Sequence, residues 1–155
     1  MVSAHGSPAT MVARRALFEW LTLSYTRQVG TALVPDGADA AWLYRDAPFA
    51  VLAHNGDPDP RFIYANLAAQ RCFEYSWDEF LSLRSRLSAE APERAERQRL
   101  LDAVARDGFV RGYRGLRVAK SGRRFWIEDG VVWQLRDADG VSRGQAAVFS
   151  MWRDA

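Results

Sequence analysis

One cysteine, two histidines and the adjacent carboxylates Glu128 and Asp129 are the first side chains to weigh for chemistry in this sequence. A reactive thiol needs a lowered pKa and access to solvent. Cys72 instead sits in LAAQRCFEY, which reads as a short helix capped by Asn66 with Ala69, Cys72 and Phe73 turned inward, so a small buried hydrophobe is its expected role. His54 closes an apolar run beside a turn, where structural hydrogen bonding is expected rather than ligation or acid–base work. His5 lies in a small, polar start. Glu128 and Asp129 are neighbours in a strand-like segment, so they point to opposite faces and cannot cooperate directly. Gly108, Gly112 and Gly115 fall before and within a strand rather than at a helix start, so they do not form a phosphate cradle. A lone cysteine forms no internal disulfide and offers no metal-ligand spacing. The sequence therefore predicts neither a catalytic set nor a metal set, and the chain is not expected to be an enzyme.

Composition narrows the class. At 155 residues with 48% hydrophobic residues, six Trp, eight Phe and five Tyr, the chain has the mass for one well-filled core. The formal charge is only +2, with 20 Arg and one Lys, and no polybasic tract is present. The last third is the basic one, but Arg111, Arg114, Arg117, Arg123 and Arg124 are spaced along strand-like segments, as on a solvated sheet face, so direct nucleic-acid binding is not expected. No run reaches the ~18 apolar residues of a membrane span, and the start lacks the apolar stretch of a signal peptide, so a cytoplasmic protein without membrane attachment is expected.

Periodicity places these residues on elements. Residues 1–10 have no period and read as a disordered start. Over 11–29, Leu17, Phe18, Leu21, Tyr25 and Val29 form one helical stripe, while Trp20 and Leu23 fall on the other side; a connector follows to residue 40. FAVLAH and RFIYAN read as two strands flanking the turn-dense NGDPDP. After the Asn66-capped helix, Ser76 and Glu79 form a capping box, with Tyr75 and Phe80 as a hydrophobic staple. Residues 92–107 form a longer helix with Pro92 in its first turn, Leu100, Leu101 and Val104 buried, and ERAERQR exposed. Three long strands close the chain near 109–119, 123–136 and 141–152. In the second of them Phe125, Ile127, Val131, Trp133 and Leu135 are expected to share a face.

This order, two strands, short helices, a longer helix and a three-stranded meander, resembles a PAS domain. FIYANLAAQRCFEYSWDEF is similar to the PAS core signature through Asn66, Phe73, Tyr75, Ser76 and Glu79. More narrowly, HNGDPDPRFIYAN, YRGLRVAKSGRRFWIEDGVVWQL and GQAAVFSMW resemble the bacterial MEKHLA proteins, a PAS-like family also found at the C-terminus of plant class III homeodomain leucine-zipper factors. The resemblance covers residues 41–152. It implies an α+β fold: a five-stranded antiparallel sheet with helices packed on one face, plus the N-terminal flanking helix. The sequence carries no homeodomain or zipper, so transcription-factor function is not carried over.

What the resemblance implies is a stand-alone sensory or protein-interaction module acting through a signalling protein that the sequence does not identify. A carrier or enzyme on the same scaffold is the alternative. A small-molecule ligand would lie between sheet and helices, with Tyr64, Ala69, Phe73, Phe80, Leu101, Tyr113, Trp126 and Trp133 as candidate walls. The alternation leaves open which of Trp126 and Trp133 faces in, and the same aromatics could simply fill a core. Haem PAS domains supply a histidine from the long helix, and flavin-binding light sensors of this fold use a cysteine motif resembling Asn-Cys-Arg-Phe-Leu-Gln. Both motifs are missing here, so no cofactor is assigned. Trp20 and Leu23 are the candidate surface of a homodimer.

Overall fold

A computed structural model of the chain describes residues 8–89 and 94–155, with side chains from residue 15 onward in the first stretch. Residues 1–7 and Pro92 lie outside the described residues. The first helix, α1, runs Pro8–Val29, so residues 8–10, expected in the disordered start, belong to the helix. After the connector and a π-helical turn at Trp42–Asp46 come β1 (Ala50–His54), β2 (Phe62–Ala65), α2 (Leu67–Phe73) and α3 (Trp77–Leu81). A 3-10 turn at Ser85–Ser88 leads to α4 (Arg94–Asp107), then β3 (Phe109–Val118), β4 (Arg124–Arg136), β5 (Ser142–Phe149) and β6 (Met151–Asp154).

The strands form one antiparallel sheet in the order β2-β1-β5-β4-β3. Beyond Ser150, β6 carries on from β5 and pairs with the first half of β4, Phe125 against Asp154. The capping residues act as their types require. Asn66 Oδ1 accepts from Ala69 N at 3.1 Å and from Val51 N at 3.0 Å, and its Nδ2 donates to the carbonyls of Leu43 and Phe49. One buried amide thus caps α2 and ties it to β1 with every polar atom satisfied. Ser76 and Glu79 close the reciprocal capping box of α3, and the Tyr75 and Phe80 rings meet at 5.5 Å.

Strand alternation divides the apolar side chains between two faces. On one, α1 lays Leu17, Leu21, Tyr25 and Val29 against Val51, Ala53, Trp133, Leu135 and Ala146. On the other, α2 and α3 cover Leu52, Phe62, Phe125, Ile127 and Phe149 with Ala69, Cys72, Phe73 and Phe80. Phe125 and Ile127 therefore do not share a face with Val131, Trp133 and Leu135. The cause is a bulge in β4: Tyr113 pairs with Gly130 and Gly115 with Ile127, leaving one extra residue, and Asp129 takes a positive φ of 49°. An extra residue in a strand inverts the inward and outward alternation beyond it.

Candidate functional site

The second face of the sheet is incompletely filled. A cavity lies between it and α4, lined from β1 by Leu52 and His54, from the 3-10 turn by Ser85 and Ser88, from α4 by Arg97, Leu100 and Leu101, and from the sheet by Tyr113, Arg117, Ile127, Val132, Gln145, Ala147 and Phe149. About 60 Å³ of it is open to the centres of water molecules. At ~10–15 Å³ per water this is room for several waters or a ligand of a few heavy atoms.

Of the expected walls, Phe73, Leu101 and Tyr113 line the cavity. The other five lie elsewhere, for reasons of strand parity and packing. Trp133 follows the Asp129 bulge and points to the α1 face, where its indole Nε1 donates to Ser24 Oγ at 3.0 Å and Tyr25 meets its ring edge-on at 4.9 Å. Tyr64 also faces away, against Tyr44 and Trp77. Trp126 carries the Arg114 guanidinium 3.9 Å over its ring, so neither tryptophan left open by the alternation faces the cavity. Ala69 and Phe80 are buried in the aromatic packing around Phe73, behind the cavity wall.

The polar lining was missed by the sequence reading. Arg97, assigned to the exposed side of its helix, is only 7% exposed. The signal was present: Arg97, Leu101 and Val104 stand at i, i+4 and i+7, one helical stripe. Its Nη2 donates to Ser85 Oγ, and Ser85 is held at the edge of β2 by its own amide, bonded to Pro60 O at 2.8 Å. Arg117, read as part of a solvated arginine face, instead lines the cavity, and the rest of that series is divided. Arg111 reaches Val29 O, Arg114 stacks on Trp126, and Arg123 pairs with Glu74 and Asp154.

Burial, and then the positive charge of Arg117, hold the Arg97 guanidinium down at about 10. His54 is held down at about 4 by burial and, more weakly, by Arg97 and Arg117, against the raising effect of its bond to Asn55 O. It is therefore neutral at neutral pH. Its Nδ1–H donates to Asn55 O at 2.9 Å, leaving Nε2 as an acceptor.

Gln145 completes the set. Its Nε2 donates to Leu101 O on α4 at 2.9 Å and to Gln134 Oε1 at 3.3 Å. Both partners are acceptors, which fixes the amide orientation. Its buried Oε1 has no partner among the described residues. Tyr113 folds over Gly115, where a Cβ would stand 1.9 Å from its phenolic oxygen, and this lack of a side chain lets the ring lie along the cavity toward Arg117. Cys72, buried behind Phe73, has its thiol pushed up to about 12 by burial, and it does not reach the cavity.

A family model described as the MEKHLA domain matches residues 15–154. A search of curated proteins found no match. Among solved structures, a PAS domain from Colwellia psychrerythraea is similar at 15% identity and TM-score 0.60, covering 74% of this chain and 92% of its own. A light-oxygen-voltage domain studied with a flavin analogue is similar at 20% identity and TM-score 0.53, covering 68% and 76%. An RNA-binding light-oxygen-voltage receptor is similar at 22% identity and TM-score 0.56, covering 77% of this chain but 36% of that one. At these identities the likeness is one of fold. The cysteine chemistry of flavin light sensors does not fit the residues present, because the Cys72 thiol does not reach the cavity and is held protonated by burial. No helix among the described residues is long and apolar enough to cross a membrane.

Proposed function

This chain belongs to the MEKHLA domain family, and from that premise we propose that it is a PAS-type sensory module that holds a small molecule between sheet and helices and signals through a partner protein. The cavity under α4 carries the reading: it is lined by fixed polar side chains, Gln145 among them, whose buried Oε1 has no hydrogen-bond partner among the described residues. An unmade hydrogen bond in a buried place costs about 1–3 kcal/mol, which a ligand donor would recover.

Output would pass through α1. The Gln145 side chain bonds Gln134, and the backbone carbonyl of Gln134 accepts from Gln28 Nε2 on α1 at 2.6 Å. A change at the cavity thus meets, two residues later, the helix on the far face. Self-association is a weaker part of the reading, because Trp20 is packed against its own core with Arg143 5.4 Å above its ring. It rests on the half-buried Leu23 alone.

The test is native mass spectrometry of freshly purified protein, followed by hydrogen exchange with and without the small molecule found. A sensor shows altered protection in α1 as well as around the cavity. A carrier changes only around the cavity, and an empty protein whose stability no small molecule alters contradicts both. Leu101→Trp should fill the cavity and abolish retention in folded protein.

A further inference from the structure

Arg97 is the least explained group in the molecule. It is enclosed, it touches Ser85 Oγ, and among the described residues it has no carboxylate partner. Arg117 faces the same space, close enough for the two positive charges to oppose each other. The other polar groups of the lining are neutral: His54, Ser85, Ser88, Tyr113 and Gln145. Among the described residues Tyr113 and then Asp59 act against the lowering of Arg97, and the Asp59 carboxylate is engaged outside the cavity with Arg84 and Arg86. Two guanidinium groups in a small, largely apolar enclosure form an arrangement that water supports poorly and an anion completes.

The remaining lining narrows the anion. Phe73, Leu101, Ile127, Val132 and Phe149 supply apolar wall, which suits a short hydrocarbon body and gives nothing to a bare inorganic ion. Gln145 Oε1 and His54 Nε2 are acceptors, so they call for a donor on the ligand. A planar carboxylate matches the fork of a guanidinium in a way a spherical anion does not.

Resting on the sensory reading above, we propose that the cavity recognises a short hydroxycarboxylic acid. Its carboxylate lies on Arg97 and Arg117, its hydroxyl donates to Gln145 Oε1 or His54 Nε2, and its few carbons lie against Leu101 and Phe149. Arg97 and Arg117 are the specificity determinants, and a neutral ligand of the same shape is rejected because it leaves both charges uncompensated.

Isothermal titration with four probes tests this: 3-hydroxybutyrate, butyrate, 1,3-butanediol and inorganic phosphate. The expected order is 3-hydroxybutyrate tightest and butyrate about tenfold weaker for the lost donor. Butanediol and phosphate should not bind. Arg97→Met and Arg117→Gln should each weaken 3-hydroxybutyrate by tenfold or more, and Arg117, only partly buried, keeps the test open if the Arg97 variant fails to fold. No binding of either carboxylate at millimolar concentration overturns the proposal, as do phosphate binding as well as 3-hydroxybutyrate and affinity unchanged in the folded variants. A neutral compound retained by the wild type and lost in Leu101→Trp would overturn the acid while leaving the sensory reading intact.

Discussion

The two faces of this sheet are built from the same strands yet solve opposite problems. Toward α1 the surface is closed by aromatic packing: Trp133 meets Tyr25 edge to face, as Trp77 meets Tyr44 and Tyr64, and the Trp133 indole N–H is satisfied by Ser24. Toward α4 the surface is left open and charged, with Arg97, Arg117 and Gln145 around a cavity, the Gln145 Oε1 having no partner among the described residues. The Asp129 bulge is where β4 exchanges one face for the other. A filled face specifies the fold, and a face left unfilled, with polar groups fixed in place, has capacity for a ligand.

Truncation at the two faces should break this symmetry most strongly. Trp133→Ala removes a fully buried indole and its bond to Ser24, and a loss of about 3–5 kcal/mol in urea unfolding is expected. Leu101→Ala enlarges a space that already exists, so a loss below about 2 kcal/mol is expected. Equal losses at the two sites would remove the distinction.

Acid should act through the open face. His54 titrates at about 4 in the folded chain against 6.5 in the unfolded one. Between those values the unfolded state binds the extra proton, so stability falls as pH drops from about 6.5 towards 4, by roughly 2–3 kcal/mol from this group. Denaturation at pH 7 and pH 4.5 should show His54→Gln losing less than the wild type, and identical losses would contradict the assignment.

A smaller effect has the opposite sign. Arg97→Met should stabilise the ligand-free chain by about 1–2 kcal/mol, since an enclosed charge with no ion-pair partner among the described residues is replaced by an apolar side chain of similar length. A lower melting temperature for this variant would show that Arg97 is held by groups other than those described.

Much of this architecture was legible in the sequence because local rules agree with the fold. Asn66, Ser76 and Glu79 announce their helices by type and spacing, and the meander shows in the period of its strands. The site was less legible. Strict alternation carried Trp133 to the wrong face because a non-glycine bulge at Asp129 leaves no compositional mark. Arg97 was given to solvent by its charge although its helical position put it in line with Leu101. Gln145 is an ordinary strand residue until β5 is placed under α4, a contact 44 positions away in sequence.

The most direct test of the central contrast uses the side chains themselves as reporters. In ¹⁵N-edited NMR, titration with 3-hydroxybutyrate should move the Arg97 and Arg117 Nε–H signals and the Gln145 side-chain amide saturably and together, while the Trp133 indole N–H, sealed on the other face, stays within line width. Movement of the Trp133 indole as large as that of the arginines, or arginine and Gln145 signals that do not respond, would contradict the account.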